Sequence, residues 1–360
     1  MGDVAHDVDV TLTVLATSLD DSALATCDAA IVGAPKDASA LDDLSALVDV
    51  VTFDHELVDL AQVAALEARG VVVRPSANAL LYAVDKARQR EALRNAGVSV
   101  PRFLCVTSSS DPRIAHFVDE VGVPVVKSAR GGYDGRGVVF PEDRADAAAV
   151  IDELLVTGEV LLEERLDLVG ELALVLVRDV HGRCVVYPLV TTVQSNGMCV
   201  EVRYPAPVDE AVREEAAVIG RSIAELINAV GVVAVEFFLT RDSLVVNEIA
   251  LRPHNSGHWT IEGAATSQFA NHLLAVSGQT LGPVDPLHRC AVMVNVVGAN
   301  APGSIDDAMA VRGAHVHDYG KSWRPGRKLG HVTVVGDDDQ VAHVTAWKSA
   351  LAYGTNTREA

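Results

Sequence analysis

Apolar runs and helical stretches alternate over about the first 75 residues of the chain. Four runs are rich in β-branched residues, which is typical of buried parallel strands. These runs are residues 10–16, 29–33, 48–53 and 71–74, and the spacing of residues 58–69 between the last two indicates a crossover helix. The order of these elements predicts a small α/β unit of the doubly wound type.

The pattern changes further along the chain. A helical pattern covers residues 79–96 and ends before Gly97, a usual C-terminal signal. Long alternating strands between residues 160 and 204 indicate an antiparallel sheet. The other predicted elements are strands at 124–128, 137–141, 232–239 and 244–251, strands near 289–297, 313–317 and 330–336, and helices at 144–157, 208–229, 261–277 and 341–353.

These changes predict three domains and a mixed fold class, α/β combined with α+β. We expect a truncated Rossmann-like α/β domain over residues 1–85, a larger domain over 86–286 and a small β-rich domain over 287–360. Pro283 and Pro286 indicate a linker at the second boundary.

The balance of charged residues excludes one class of function. Lysine and arginine number 29 against 49 aspartates and glutamates, so the formal net charge is −20. This argues against a nucleic-acid-binding protein, because phosphate backbones are held by clustered cations. The acidity is concentrated in residues 1–60, which hold 13 acidic residues and one basic residue, Lys36. Local clusters of cations elsewhere therefore indicate sites for small phosphate ligands.

The cysteine pattern, the N-terminus and the apolar runs indicate the cellular compartment. The five cysteines form no CxxC pair, which favours reduced thiols over a disulfide or zinc framework. The N-terminus has no basic and apolar regions of a secretory signal, and no apolar run approaches the ~20 residues that a membrane span needs. We expect a cytoplasmic protein without a membrane partner.

A lysine ends one predicted strand and a glycine-rich loop follows it. From Lys127 to Gly137 the sequence is KSARGGYDGRG, with four glycines in the last seven residues. The backbone N–H groups of such a loop can approach a phosphate closely. A flexible phosphate-covering loop is one interpretation and a plain hairpin turn is the other. It is not a P-loop, in which the lysine follows the glycines.

Two glutamates lie in strongly apolar strands. If residues 240–243 form the turn between these strands, Glu236 and Glu248 lie opposite each other on one face, with Cβ atoms ~5 Å apart. The two negative charges repel each other, and a divalent cation between the carboxylates would stabilise the pair; oxygen ligands favour Mg²⁺. Asn247 could add an amide oxygen, although strict alternation sends it to the other face. The alternative is two exposed strand glutamates.

Three further segments carry candidate chemistry. The loop RPHNSGHWT after the second glutamate strand presents Arg252, His254 and Asn255, which suit anion binding better than a zinc site. Four basic residues between positions 321 and 328 suit a phosphate monoester, or form a solvated basic loop. The segment LLEERL, residues 161–166, and Glu171 could contact adenine and ribose, a weak indication by itself.

With these residues in this order, the chain resembles the ATP-grasp superfamily and, within it, the 5-(carboxyamino)imidazole ribonucleotide synthases. The resemblance spans roughly residues 10–350 and is carried by GGYDGRG, NEIALRPHNSGHWT, GAATSQF and RPGRKLGH. It implies a pre-ATP-grasp domain, an ATP-grasp domain and a C-terminal β domain. It also implies ATP- and bicarbonate-dependent carboxylation of 5-aminoimidazole ribonucleotide through carboxyphosphate in purine biosynthesis, with Mg²⁺ or Mn²⁺, in a homodimer.

The resemblance also implies roles for individual residues. Lys86 and Lys127 hold ATP phosphates, and Arg252 and His254 orient bicarbonate and carboxyphosphate. The ATP-binding set is Lys86, Lys127, Gly132, Tyr133, Asp134, Gly135, Arg136, Gly137, Val138, the adenine hinge Glu163, Glu164, Arg165 and Leu166, the ribose contact Glu171, and Gln194, Asn247 and Glu248. The metal set is Glu236 and Glu248, and the catalytic set is Lys127, Asp134, Arg252 and His254. The ribonucleotide set is Tyr133, Asp134, Arg136, Asn255, Ser256, Lys321, Arg324 and Lys328.

The chain departs from the family pattern in several places. The family opens with a strand and a GGGQLG-type loop, whereas VTLTVLA here matches the family's second strand. A start upstream of Met1 is favoured over a shortened protein, since a missing first strand would leave a buried sheet edge unpaired. Asp54, Gln194 and Leu251 replace a glutamate, a histidine and a proline that are usual in the family.

Two other functions stay open at this point. One is another ATP-grasp ligase, such as a formate-dependent glycinamide ribonucleotide transformylase, although the HNSGHW segment favours carboxylation. The other is a nucleotide-binding module without turnover.

Overall fold

The computed structural model describes residues 1–131 and 137–355. Its N-terminal elements are α1 (Gly2–Ala5), β1 (Thr13–Ala16), β2 (Ala29–Val32), α2 (Ala38–Ser45), α3 (Leu60–Ala68) and α4 (Ala77–Val84). The parallel pairing of β1 with β2 confirms the α/β character of this region. The prediction that the second strand is buried is wrong. Val32 is 49% exposed, because among the described residues β2 pairs only with β1.

The third and fourth predicted strands, residues 48–53 and 71–74, do not form a regular ladder of paired residues. They meet in a single parallel bridge between Val51 and Val73. Pro75 follows the second of them closely and has no N–H to extend the pairing. Glu56, after the first, turns away to bind backbone and side-chain groups of a distant loop. Both valines are nevertheless buried in the largest hydrophobic cluster.

The helix predicted over residues 79–96 is two helices, α4 and α5 (Lys86–Asn95). The break lies at Asp85, whose backbone is extended (φ −126°, ψ 99°). Its carboxylate accepts a hydrogen bond from the backbone N–H of Arg88 at 3.0 Å and so caps the second helix. The break places Lys86 at the start of a new helix.

The helix predicted over residues 261–277 is also divided, into α9 (Thr260–Gly263) and α10 (Gln268–Ser277). Between them, Ala264 forms an isolated bridge with Pro286. Ser267 then caps α10 by accepting from the backbone N–H of Ala270 at 3.2 Å.

A small antiparallel sheet follows α5. Its elements are β3 (Phe103–Val106), α6 (Arg113–Val121), β4 (Val125–Ser128), β5 (Val138–Val139), α7 (Arg144–Leu155) and β6 (Val160–Glu163). The strand order is β3-β6-β4-β5. Phe117, Val126, Ile151 and Leu162 are buried in the core between this sheet and its helices. The pairing of Val138 with Lys127 brings the two ends of the glycine-rich segment together.

A larger sheet contains the other nine strands and confirms the predicted antiparallel arrangement. Its strands are β7 (Gly170–Arg178), β8 (Cys184–Val186), β9 (Val190–Ser195), β10 (Met198–Tyr204), β11 (Gly231–Leu239), β12 (Leu244–Ala250), β13 (Cys290–Val297), β14 (His315–Asp318) and β15 (Lys328–Gly336). The order is β12-β11-β7-β9-β10-β13-β15-β14, with β8 on β7. The pairing of β10 with β13 joins strands on either side of the expected boundary near residue 286.

Helices cover parts of this sheet. They are α8 (Glu210–Leu226), α9, α10, α11 (Ile305–Met309) and α12 (Asp339–Tyr353). A separate core packs Val292, Val294 and Val332 of the C-terminal strands against Ala346 and Ala350 of α12. No helix in the described part of the chain has the length and apolar character needed to cross a membrane.

Candidate active site

The paired glutamates lie where the hairpin prediction placed them. Glu236 on β11 is directly opposite Glu248 on β12. The turn alone would not give this pairing, since Leu239 pairs with Leu244 and Phe237 with Val246, which would set Glu236 opposite Asn247. A β-bulge at Asn247 shifts the register by one residue and brings the two carboxylates onto one face.

Lys86, the first residue of α5, reaches this hairpin. Lys86 Nζ lies 2.6 Å from Glu248 Oε1, and the lysine side chain is 12% exposed. The backbone N–H of Lys86 donates to the carbonyl oxygen of Ala129 at 2.8 Å, next to the start of the glycine-rich loop. Burial acts to raise the pKa of Glu248, but Lys86, Lys127 and Arg90 outweigh it and hold the pKa below its ordinary value. Glu248 is therefore ionised at neutral pH.

The carboxylate of Glu236 has fewer and more distant polar partners than that of Glu248. Its carboxylate meets Asn247 Nδ2 at 3.5 Å and His254 Nε2 at 3.7 Å. Burial, then the charges of Glu248 and Glu171, raise the pKa of Glu236 to about 8. The strand register places Glu171 on the same face as Glu236, because Ala173, two residues along β7, pairs with Glu236. Three carboxylates thus share one region of the sheet.

This region fits a divalent cation. Among the described residues, no group of three or more histidine, cysteine, aspartate or glutamate side chains is arranged to hold a metal alone. Mg²⁺ needs only one or two carboxylates when phosphate oxygens and water complete its shell. The observation that supports a cation here is the raised pKa of Glu236 opposite ionised Glu248, since a bound cation would stabilise the second carboxylate charge.

The second lysine is buried beside an acid. Lys127 Nζ lies 2.5 Å from Glu163 Oε2, and the two side chains are 9% and 2% exposed. Burial lowers the pKa of Lys127, an effect that the Glu163 charge opposes. Burial acts to raise the pKa of Glu163, but the charges of Arg90 and Lys127 hold it at about 2. The sequence alone indicated neither this pairing nor the part that Arg90 takes in it.

The expected adenine hinge lies at the end of β6. The Glu163 side chain points inward to Lys127, so only its backbone is left for an adenine. Glu164 binds the side chain of Arg102 at 2.8 Å, and Arg165 Nη2 donates to the carbonyl oxygen of Pro141 at 2.9 Å. Leu166 is half-buried. The hinge stays a prediction, with the acidic side chains already engaged by protein groups.

Glu171 and Gln194 lie on neighbouring strands. Thr192 pairs with Glu171, and Gln194 is two residues further along β9, so both candidate contacts share one face. Burial raises the pKa of Glu171, an effect that Lys127 opposes. Both side chains are half-buried.

The loop after β12 is anchored by a residue that the sequence reasoning missed. Glu56 Oε2 accepts from Arg252 Nε at 2.6 Å, and Glu56 Oε1 accepts from the backbone N–H of Leu251 at 3.0 Å. Glu56 is the last residue of the TFDHE segment, in which only Asp54 drew attention. This pairing fixes the direction of the Arg252 guanidinium.

His254 is held in the same loop. Its Nδ1 lies 2.8 Å from Ser256 Oγ, and the amide of Gln268 binds both the N–H and the carbonyl oxygen of His254. Burial, followed by the positive charges of Arg252 and Lys328, lowers the pKa of His254 to about 3. The imidazole is therefore neutral at physiological pH, suited to donating or accepting a hydrogen bond rather than to providing charge.

Asn255 and Ser256 have partners within the protein. The amides of Asn255 and Asn295 exchange two hydrogen bonds, at 2.9 and 2.7 Å. Ser256 is buried. The ring of Trp259 stacks on Tyr204 with centroids 4.8 Å apart. These contacts shape the loop, and the predicted contact of Asn255 and Ser256 with the substrate stays a prediction.

The basic segment precedes and begins β15. Lys321 Nζ lies 5.2 Å from the ring centre of Tyr319, Arg324 is exposed, and Lys328 is half-buried. The positive charge of Lys328 is one of those that lower the pKa of His254, which indicates that Lys328 lies near that imidazole.

Some candidate residues cannot be placed. Gly132, Tyr133, Asp134, Gly135 and Arg136 lie outside the described residues. Gly137 is described: its carbonyl oxygen accepts from the backbone N–H of Ser128 at 2.8 Å, and its φ of 73° suits glycine.

Three family models match the chain in order. They are the ribonucleotide synthetase preATP-grasp domain over residues 1–84, the ATP-grasp domain over 91–269, and the phosphoribosylaminoimidazole carboxylase C-terminal domain over 291–346. Lys86 at the start of α5 and Lys127 in the small sheet both act on Glu248 of the glutamate pair. Together with this arrangement, the three matches define an enzyme of the ATP-grasp class.

Comparison with individual proteins narrows the class. The N5-carboxyaminoimidazole ribonucleotide synthase of Mycobacterium tuberculosis (strain ATCC 25618 / H37Rv) is 44% identical over 338 residues, covering 91% of this chain and 78% of that one. The Corynebacterium ammoniagenes protein of the same name is 37% identical over 356 residues, covering 94% and 85%. The chain belongs to the N5-carboxyaminoimidazole ribonucleotide synthase family, which confirms the resemblance found in the sequence.

Solved structures agree with this placement. The N5-carboxyaminoimidazole ribonucleotide synthetase of Thermus thermophilus superposes with a TM-score of 0.90 at 31% identity, covering 100% of this chain and 96% of that one. The Aspergillus clavatus N5-carboxyaminoimidazole synthase, solved with ADP and 5-aminoimidazole ribonucleotide, gives 0.87 at 28% identity, covering 98% and 94%.

Proposed function

We propose that this protein carboxylates 5-aminoimidazole ribonucleotide, using ATP and bicarbonate, in purine biosynthesis. The observation that carries the proposal is the meeting of Lys86, Glu248 and Glu236 at one end of the large sheet, beside Lys127 of the small sheet. Lysines and carboxylates in this arrangement suit the charge neutralisation that phosphoryl transfer requires. Two relatives, at 37 and 44% identity, are named N5-carboxyaminoimidazole ribonucleotide synthase, which supports carboxylation over formyl transfer as the reaction.

The reaction has two steps. An oxygen of bicarbonate attacks the γ-phosphorus of ATP, the bond to the β-phosphate oxygen breaks, and carboxyphosphate and ADP form. The exocyclic amine of the ribonucleotide then attacks the carboxyl carbon, phosphate leaves, and the nitrogen loses a proton. A bound divalent cation at Glu236 and Glu248 would neutralise phosphate charge.

The residues of the chain take the remaining roles. Lys86 and Lys127 bind phosphate oxygens of ATP as point charges. Arg252, held by Glu56, binds the bicarbonate or carboxyphosphate oxygens, and neutral His254 hydrogen-bonds the same group. The cations at 321, 324 and 328 suit the phosphate of the ribonucleotide. We assign Asn255 and Ser256 to loop shape, because their polar groups already have protein partners.

The direct test is a product assay. Purified protein is incubated with Mg·ATP, 5-aminoimidazole ribonucleotide and ¹³C-bicarbonate, and ADP release and the labelled product are followed. We expect ADP release to depend on bicarbonate and to be stimulated by the ribonucleotide, with the label in the product. Stimulation by formate and glycinamide ribonucleotide instead, or nucleotide binding without product, would contradict the proposal.

Three further features belong to the same proposal. We infer a division into domains at residues 1–85, 86–286 and 287–360, a homodimer, and residence in the cytoplasm. Light scattering on the purified protein tests the dimer, and a mass of 38.0 kDa, that of one chain, would contradict it.

A further inference from the structure

One buried arginine joins the two sheets that meet at the active site. Arg90, in the middle of α5, is 1% exposed. Its Nε donates to Glu163 Oε1 at 2.5 Å, and its Nη2 donates to the carbonyl oxygen of Asn247 at 2.5 Å. Glu163 ends a strand of the small sheet, and Asn247 precedes Glu248 in the large sheet. A single planar guanidinium thus sets the position of one sheet against the other.

Glu163 divides its two oxygens between two cations. Oε1 accepts from Arg90 and Oε2 from Lys127 Nζ, at 2.5 Å each. The two cations and one anion carry one net positive charge. If Arg90 were absent, Glu163 would neutralise Lys127 alone, and the buried group would present no net charge to a phosphate. Arg90 therefore occupies one oxygen of Glu163 and keeps the group at one net positive charge, although its own charge also lowers the pKa of Lys127.

We propose that Arg90 is a positioning residue for the nucleotide: by holding Glu163 it aims Lys127 and leaves its charge free for the phosphates of ATP. This inference rests on the proposed function, since it takes Lys127 to be a phosphate ligand. Within the described part of the chain, Arg90 donates its hydrogen bonds to protein groups, and it acts through Glu163.

The net charge of this buried group gives a test that a structural role would not pass. Arg90→Met leaves a neutral Glu163–Lys127 pair, whereas Arg90→Met with Glu163→Gln leaves one positive charge, as in the native group. We expect the dissociation constant for Mg·ADP, measured by calorimetry, to rise about tenfold or more in the single variant, the effect of losing one charge-assisted interaction. The double variant should recover part of the lost affinity, because the phosphates of bound ADP can then take the place of the Glu163 carboxylate beside Lys127.

Two other variants complete the experiment. Arg90→Lys keeps the charge but cannot bond Glu163 and the Asn247 carbonyl together, so an intermediate affinity is expected. Arg88→Met, on the same helix but exposed and paired with Glu91, is the matched control and should bind Mg·ADP as the native protein does. The Arg90→Lys result keeps the test informative if Arg90→Met does not fold.

Several outcomes would overturn the inference. These are native affinity in Arg90→Met, a double variant as weak as the single one, or an equal loss in Arg88→Met. Nucleotide binding is measured without bicarbonate or ribonucleotide, so a failed product assay would contradict the proposed reaction and leave the role of Arg90 to be judged by calorimetry.

Discussion

Lys86 Nζ lies 2.6 Å from Glu248 Oε1, although 162 residues separate the two in sequence. The contact ties the first turn of α5 to the β11–β12 hairpin. Under the proposed function, a cation bound at Glu248 would compete with Lys86 for the carboxylate and so turn the lysine toward the phosphates. The ion pair then holds Lys86 in place before the nucleotide arrives.

Replacing Glu248 with glutamine should abolish turnover while leaving the fold intact. The amide keeps the size of the side chain but removes the charge that pairs with Lys86 and would bind a metal. We expect kcat/KM to fall at least ~100-fold, as for other groups that stabilise transition-state charge. Steady-state ADP release measures this, and circular dichroism checks the fold.

The control is Asp242→Asn in the exposed turn of the same hairpin, which removes one carboxylate away from the site. It should retain native kinetics. Activity retained by Glu248→Gln would remove the argument for a metal between the paired glutamates.

Arg252→Lys tests the anchoring of the anion-binding loop. Lysine keeps the positive charge but cannot reproduce the two directed contacts of the guanidinium, from Nε to Glu56 at 2.6 Å and from Nη1 to the carbonyl oxygen of Pro253 at 3.1 Å. We expect the KM for bicarbonate to rise about tenfold, with Mg·ADP affinity unchanged. Arg241→Lys, in the exposed turn before β12, is the matched control. A change confined to nucleotide affinity would show that Arg252 acts elsewhere.

The sequence predicted the glutamate pair because apolar alternation and a short turn constrain a hairpin strongly. It did not predict the bulge at Asn247, which corrects a register that the turn alone would shift by one residue. Bulges depend on tertiary context, and local composition left no sign of this one. The pairing was predicted correctly, but the local register has a different cause.

Contacts between distant segments were the features that the sequence could not supply. The break at Asp85 had a local signal, an acidic residue three positions before the backbone N–H that it caps. The inward turn of Glu163 had none, because it depends on Arg90 and Lys127, which come from two other elements. Glu56 likewise finds its partner, Arg252, 196 residues away.

His272 should make folding sensitive to acid. The ring is buried, accepts from the backbone N–H of Val232 at 3.1 Å, and lies 2.8 Å from Thr52 Oγ1. Burial, with a smaller contribution from the N-terminal charge, lowers the pKa of His272 from 6.5 to about 3. Its contribution to stability is thus present above pH 6.5 and is lost as the pH falls toward 3.

The test compares the free energies of unfolding of the native protein and His272→Gln, measured in urea at pH 7.5 and 5.5. Between these values the native protein should lose about 1.4 kcal/mol more unfolding free energy than His272→Gln, the amount for one proton over one pH unit below 6.5. Thr52→Val, which removes the hydrogen bond but keeps the histidine, should lower stability by a similar amount at both pH values. Equal pH dependence in native protein and His272→Gln would contradict this assignment.

Asp85→Ala separates the stability of α5 from its role in placing Lys86. Asp85 caps the helix by accepting from the backbone N–H of Arg88 at 3.0 Å and also binds Arg130 Nε at 2.8 Å, so its loss should destabilise the fold by about 1–3 kcal/mol.

The control is Asp338, which caps α12 by accepting from the backbone N–H of Val341, also at 3.0 Å, in the C-terminal domain. Asp338→Ala should cost about 1 kcal/mol and leave Mg·ADP affinity unchanged. Asp85→Ala should weaken that affinity as well, because Lys86 no longer begins a capped helix. If both variants bind nucleotide equally well, the break in the helix does not position Lys86.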